Sequence, residues 1–117
     1  MTKFHHIGLP TTESHPGEVY VSQTKVWVTD PRQHPLSIEF LRYEADSPVT
    51  GPLREQAHTA YRVDNLEEAI AGKEIILPPF SPSPGLRVAF VRMHGAVFEF
   101  MEYADEHALP WGAAAAP

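Results

Sequence analysis

Two stretches of this chain, LSIEFLRYE (36–44) and AVFEFMEYA (96–104), align without a gap on a shared Glu-Phe pair, and Tyr43 then falls on Tyr103. Both alternate polar and apolar residues as a strand does. Each also closes a run of short segments that opens on a histidine-bearing strand, FHHIGLP (4–10) in one case and AHTAYRV (57–63) in the other. A chain that uses the same plan twice folds most simply as two copies of one unit. Glu39 and Glu99 are 60 positions apart, His6 and His58 are 52 apart, and the second unit is therefore eight residues longer between its His and its Glu. A helix present in the second unit and absent from the first is the expected source.

Local signals set the boundaries. The chain's 12 prolines cut it into short pieces. PTTESHPG (10–17) cannot form a helix, because Pro16 and Gly17 interrupt it. EVYVSQTKVWVTD (18–30) is β-branched and aromatic and predicts one or two strands, and Asp30-Pro31 starts a turn. ADSPVTGPLREQ (45–56) is the linker. In the second unit Asp64 or Asn65 caps a short helix over 65–72, with Glu67 and Glu68 in its first turn and Gly72 at its end. KEIIL (73–77) is a strand, PPFSPSPG (78–85) a loop and LRVAFVR (86–92) a strand; Met93-His94-Gly95 then turns into the last strand. One domain of 117 residues is expected: module one over about 1–45, the linker, module two over about 57–104, and a tail (105–117) whose end is poorly ordered.

Composition excludes several classes. A net charge of -6 leaves no basic stripe for nucleic acid. With no cysteine there is no disulfide, thiolate metal site or cysteine nucleophile. No apolar run approaches the roughly 20 residues that span a bilayer, and MTKFHHIG lacks the apolar centre of a signal peptide. A cytoplasmic protein that binds a small molecule is expected.

His6 and His58 each lie near the start of their unit's first strand, whereas His5 has Ala57 as its counterpart. Strand alternation turns His5 and His6 to opposite faces. Taken singly, each His suits a structural role, and Glu39 and Glu99 suit the wet face of an amphipathic strand. Equivalent placement in both units argues for a set. Two imidazoles and two carboxylates on one concave face suit a divalent ion such as Zn, Ni, Co, Mn or Fe(II). Tyr43 and Tyr103 are candidates for the cavity mouth, and Arg87 is a weaker candidate for holding a substrate anion. His15, His34, His94 and His107 read as surface residues.

With HHIGLP at the start, HTAYRVDNLEEAI in the middle and VAFV followed by AVFEFMEY at the end, the chain resembles the vicinal oxygen chelate superfamily, the glyoxalase I and bleomycin-resistance group. The resemblance runs from Phe4 to Tyr103. It implies an α+β fold of two paired βαβββ modules forming a curved open sheet around a metal, here with the first module lacking its helix. In the four-ligand branch the pattern His, Glu, His, Glu falls on His6, Glu39, His58 and Glu99. The implied activity is that of a metal-dependent isomerase, epimerase or lyase. Glu39 or Glu99 would move the proton beside a carbonyl, and the ion would stabilise the enediolate. The alternatives are a drug-sequestering binding protein without catalysis, and an Fe(II) oxygenase, which the fourth ligand disfavours. Open sheet edges and the resemblance together imply a homodimer.

Overall fold

A computed structural model describes residues 1–113 of the chain. Eight strands form a single curled, open sheet in the order β2-β3-β4-β1-β5-β8-β7-β6. They are β1 Lys3–Pro10, β2 Val19–Val21, β3 Val26–Val28, β4 Ile38–Tyr43, β5 His58–Arg62, β6 Glu74–Ser83, β7 Leu86–Met93 and β8 Ala96–Glu102. Each unit repeats one pattern. The first strand runs parallel to the fourth (β1 with β4, β5 with β8), and the second and third continue outward as a hairpin. The units meet where β1 and β5 pair antiparallel. This is the α+β, glyoxalase-like sheet expected, with few helices. Among the described residues no helix is long and apolar enough to cross a membrane.

The seam explains the repeat offset. His6 pairs with Ala60, Ile7 with Thr59 and Gly8 with His58. Adding 52 to each β1 position reproduces the same pairs, so a pseudo-twofold axis passes beside Ile7 and Thr59. On the outer strands the offset is 60: Val28 pairs with Leu41 as Val88 pairs with Met101. The eight extra residues therefore lie between β5 and β7. Three are in the segment carrying the helix (Pro10 to Val19 against Arg62 to Glu74), and five are in β6 and its turn (Val19 to Val26 against Glu74 to Leu86). The helix replaces a loop of nearly its own length, and strand growth accounts for most of the insertion.

That helix, α2, spans Leu66–Ile70. The Asn65 side chain accepts from Glu68 N at 2.9 Å, and Leu66 is fully buried against Val63, Val91 and Phe100. Residues 10–17 form no helix, as expected. The segment PPFSPS departs from the loop reading, because β6 continues through it to Ser83. Proline is tolerated there for two reasons. β6 is the last strand of the sheet, so one row of its N–H groups needs no partner. Pro78, Pro79 and Pro82 also fall where the ladder slips, between Leu77 and Phe80 and between Phe80 and Ser83.

Two further segments are more structured than the sequence suggests. The linker contains a single helical turn, α1 (Pro52–Glu55), with Pro52 in its first turn and Leu53 in the main core. The tail docks through a 3₁₀ turn at Glu106–Ala108, buried Leu109 and Trp111, whose indole N–H donates to Val28 O at 3.1 Å. The expected disorder at the tail's end concerns Ala114–Pro117, which lie outside the described residues.

Candidate metal centre

Sheet register assembles the site. Gly8 lies between His58 on β5 and Glu39 on β4, while Ala60 lies between His6 on β1 and Glu99 on β8. Residues level with one another across a sheet share a face. All four candidate ligands therefore point into the concavity, two on each side of the pseudo-twofold axis. Gly8 lacks a side chain for a steric reason. A Cβ on Gly8 would stand 2.1 Å from Cε1 of the His58 ring.

The four side chains converge. One nitrogen or oxygen from each of His6, Glu39, His58 and Glu99 lies within 4.8 Å of the others, and all four residues are buried. His6 Nε2 is 3.2 Å from Glu39 Oε1 and 3.4 Å from Glu99 Oε1, yet it makes a hydrogen bond to neither. His58 Nε2 is 3.1 Å from Glu99 Oε1. Burial opposes charge on His6, but Glu39 and then Glu99 outweigh it and raise its pKa to about 10. Burial likewise opposes charge on Glu99, and the hydrogen bond from His58 together with the charge of nearby His6 holds its carboxyl below the usual range.

The set fits a divalent ion on three counts. The donors are mixed imidazole and carboxylate, which suits Zn and its first-row neighbours. A buried ring nitrogen without a hydrogen bond, His6 Nε2, stands among them. Donors bound about 2.1 Å from one ion lie at most about 4.2 Å apart, so closure by about 0.6 Å at most brings the widest pair within range.

His5 differs from the expectation. The β1–β5 ladder slips between Phe4 and His6, making His5 the extra residue of a β-bulge. Strict alternation fails there, and His5 Nδ1 lies 2.7 Å from His6 Nδ1. Burial, and next the charge on His6, lowers the pKa of His5 to about 4. A neutral ring thus orients the far side of a candidate ligand, the arrangement that fixes tautomer and direction at metal sites. A doubled histidine was the only sequence signal for it.

An apolar cavity of about 50 Å³ opens over the centre, lined in part by His6, Glu39 and Glu99. Tyr43 lines it as well, and burial, followed by the Glu39 and Glu99 carboxylates, pushes its hydroxyl pKa up. Tyr103 does not line it; its ring lies beneath the Arg62 guanidinium, 4.0 Å away. Arg87 is also elsewhere, paired with Glu67 and Glu102 on the outer side of the sheet. His15 stacks on Phe40 at 4.2 Å, on the face of β4 opposite Glu39.

Curled sheet and buried cluster together define a glyoxalase-like scaffold with a possible metal-binding centre. The crystal structure of the hypothetical protein BH1468 from Bacillus halodurans C-125 matches it with a TM-score of 0.69 and 23% identity, over 89% of this chain and 96% of that one. At that identity the likeness establishes the fold. No protein-family model matches the chain, and no curated protein shows significant similarity to it.

Proposed function

We propose that this protein is a metal-dependent isomerase, epimerase or lyase that moves a proton on the carbon beside a carbonyl of a small oxygenated substrate. The observation that carries the reading is the buried convergence of two histidines and two glutamates beneath an apolar cavity. His6, Glu39, His58 and Glu99 would hold a Zn, Ni, Co, Mn or Fe(II) ion, which supplies Lewis-acid polarisation of a carbonyl and its neighbouring oxygen.

The two carboxylates are not equally held. Glu99 Oε1 is within 3.4 Å of both imidazoles, whereas Glu39 Oε1 is within reach of His6 alone. Glu39 is therefore the carboxylate released at lower cost, and it lines the cavity. It takes and returns the proton, while Glu99 stays with the two histidines. The aliphatic walls keep water from the reacting carbon. Each unit also leaves one edge strand open, β2 and β6, with Tyr20 and Ile75 exposed on them. A homodimer that covers such edges is part of the proposal, and light scattering at micromolar concentration tests it.

Metal analysis of protein purified without chelator, combined with solvent deuterium exchange into neutral 2-hydroxyketones, tests the reading. One metal per chain and exchange are expected. Glu39→Gln should keep most of the metal and lose exchange at least about 100-fold, while Glu99→Gln should lose both. Full exchange in Glu39→Gln overturns the base assignment. Stoichiometric metal with no exchange on any substrate indicates a non-catalytic binding protein, and absence of metal overturns the metal centre.

A further inference from the structure

The cavity walls carry information about charge that the ligand set does not. They are built as matched pairs across the pseudo-twofold axis: Val26 with Leu86, Val28 with Val88, and Leu41 with Met101. Each member is at most 5% exposed. Outside the candidate ligands and Trp111, the polar side chains lining the cavity are Thr24 and Tyr43, and neither is a cation. Among the described residues no lysine or arginine lines it. Two arginines that lie over lining residues are already engaged. Arg54 donates to the carbonyls of Val49 and Glu44 and stacks over Tyr43 at 5.5 Å. Arg32 is held by Asp30 and Glu106 and lies over Trp111 at 5.9 Å.

From this we infer that the substrate is uncharged and largely apolar beyond its reacting oxygens, with a body of a few carbon atoms. The inference rests on the metal centre proposed above and adds the substrate class. A dication held by two carboxylates leaves no surplus positive charge for a second anionic group. A carboxylate, phosphate or nucleotide tail buried in this cavity would lose its water and gain no cationic partner. Size points the same way: about 50 Å³ of cavity admits roughly four water-sized groups. Acyl-CoA esters, sugar phosphates and dicarboxylates fit poorly wherever their charged part must enter the cavity. Short-chain hydroxyketones, diketones and similar compounds fit.

A matched pair of chelators tests this on Co(II)-loaded protein. The probes 4-methylpentanohydroxamic acid and succinic monohydroxamic acid share the same two-oxygen head and nearly the same shape; one ends in an isopropyl group, the other in a carboxylate. Calorimetry gives the two affinities, and the visible cobalt band reports whether the head reaches the ion. The alkyl probe should bind at least about 100-fold more tightly, the scale expected when a carboxylate is buried unpaired. In Thr24→Lys, which places a cation at the wall, the succinic probe should gain at least about tenfold. Equal affinities, tighter binding of the succinic probe, or no binding of either to a cobalt-loaded site overturns the substrate class and leaves the metal centre standing. Failure to take up Co(II) overturns the metal centre, and the substrate class with it.

Discussion

The two halves of this molecule agree where they meet and differ where they end. At the seam the ligand-bearing positions have their counterparts: His6 and His58, Gly8 and Ala60, Glu39 and Glu99. Away from it the likeness fades. The first half has a bare loop over residues 11–18 and a hairpin with strands of 3 and 3 residues, where the second has α2 and strands of 10 and 8. The first half's own core contains Val21, Val26, Val28 and Leu41, whereas two larger clusters lie mainly in the second. The strands that aim ligands tolerate no change of register, because a one-residue slip turns every side chain to the other face. The outer strands and helix need only bury apolar surface, which many lengths can do.

The sharpest way to break this comparison is at the seam. Gly8→Ala should abolish metal binding, because the new methyl would overlap the His58 ring and that ring lies against buried β-structure. Overpacking of this kind also costs about 1–3 kcal/mol of stability. The pseudo-equivalent change, Ala60→Gly, should keep the metal. Metal analysis and thermal melts on the two variants decide the point, and equal metal content in both would show that the seam is not the constraint.

The outer half-structures are tested next. Leu66→Ala in α2 should destabilise the fold by about 2–5 kcal/mol, since the side chain is fully buried. Alanine at Glu13, exposed in the loop that occupies the helix's place in the first half, should cost less than about 0.5 kcal/mol. Denaturant titration measures both. A smaller effect, on the site alone, is expected at the bulge. His5→Ala should weaken metal affinity about tenfold through the loss of its contact with His6 Nδ1, while His58→Ala removes a ligand and should leave no stoichiometric metal. A competition titration with a chromophoric chelator separates the two. Asn65→Ala, which removes the cap of α2, should cost about 1 kcal/mol in the same denaturant titration.

Much of this architecture was legible in the chain. Period-two alternation around Glu39 and Glu99, and the two histidine strands, marked the elements and their ligands because a strand's side-chain direction is a local property. Asn65 with Glu67 and Glu68 marked α2 for the same reason, as did Pro16 and Gly17 for the absence of a first helix. Tertiary structure decided the rest, through contacts between residues distant in sequence. Only the pairing of β1 with β5 places Gly8 opposite His58 and makes glycine obligatory there. Only the slip in that ladder brings His5 onto His6, where alternation alone would separate them. Pro78, Pro79 and Pro82 look like loop until β6 is known to be an edge strand, with no neighbour to demand their missing N–H groups. The tail shows no periodicity, yet Trp111 and Arg32 hold it over the cavity mouth with partners some 80 residues away. Local propensity is written residue by residue, but register, edges and long-range docking exist only once the two halves have met.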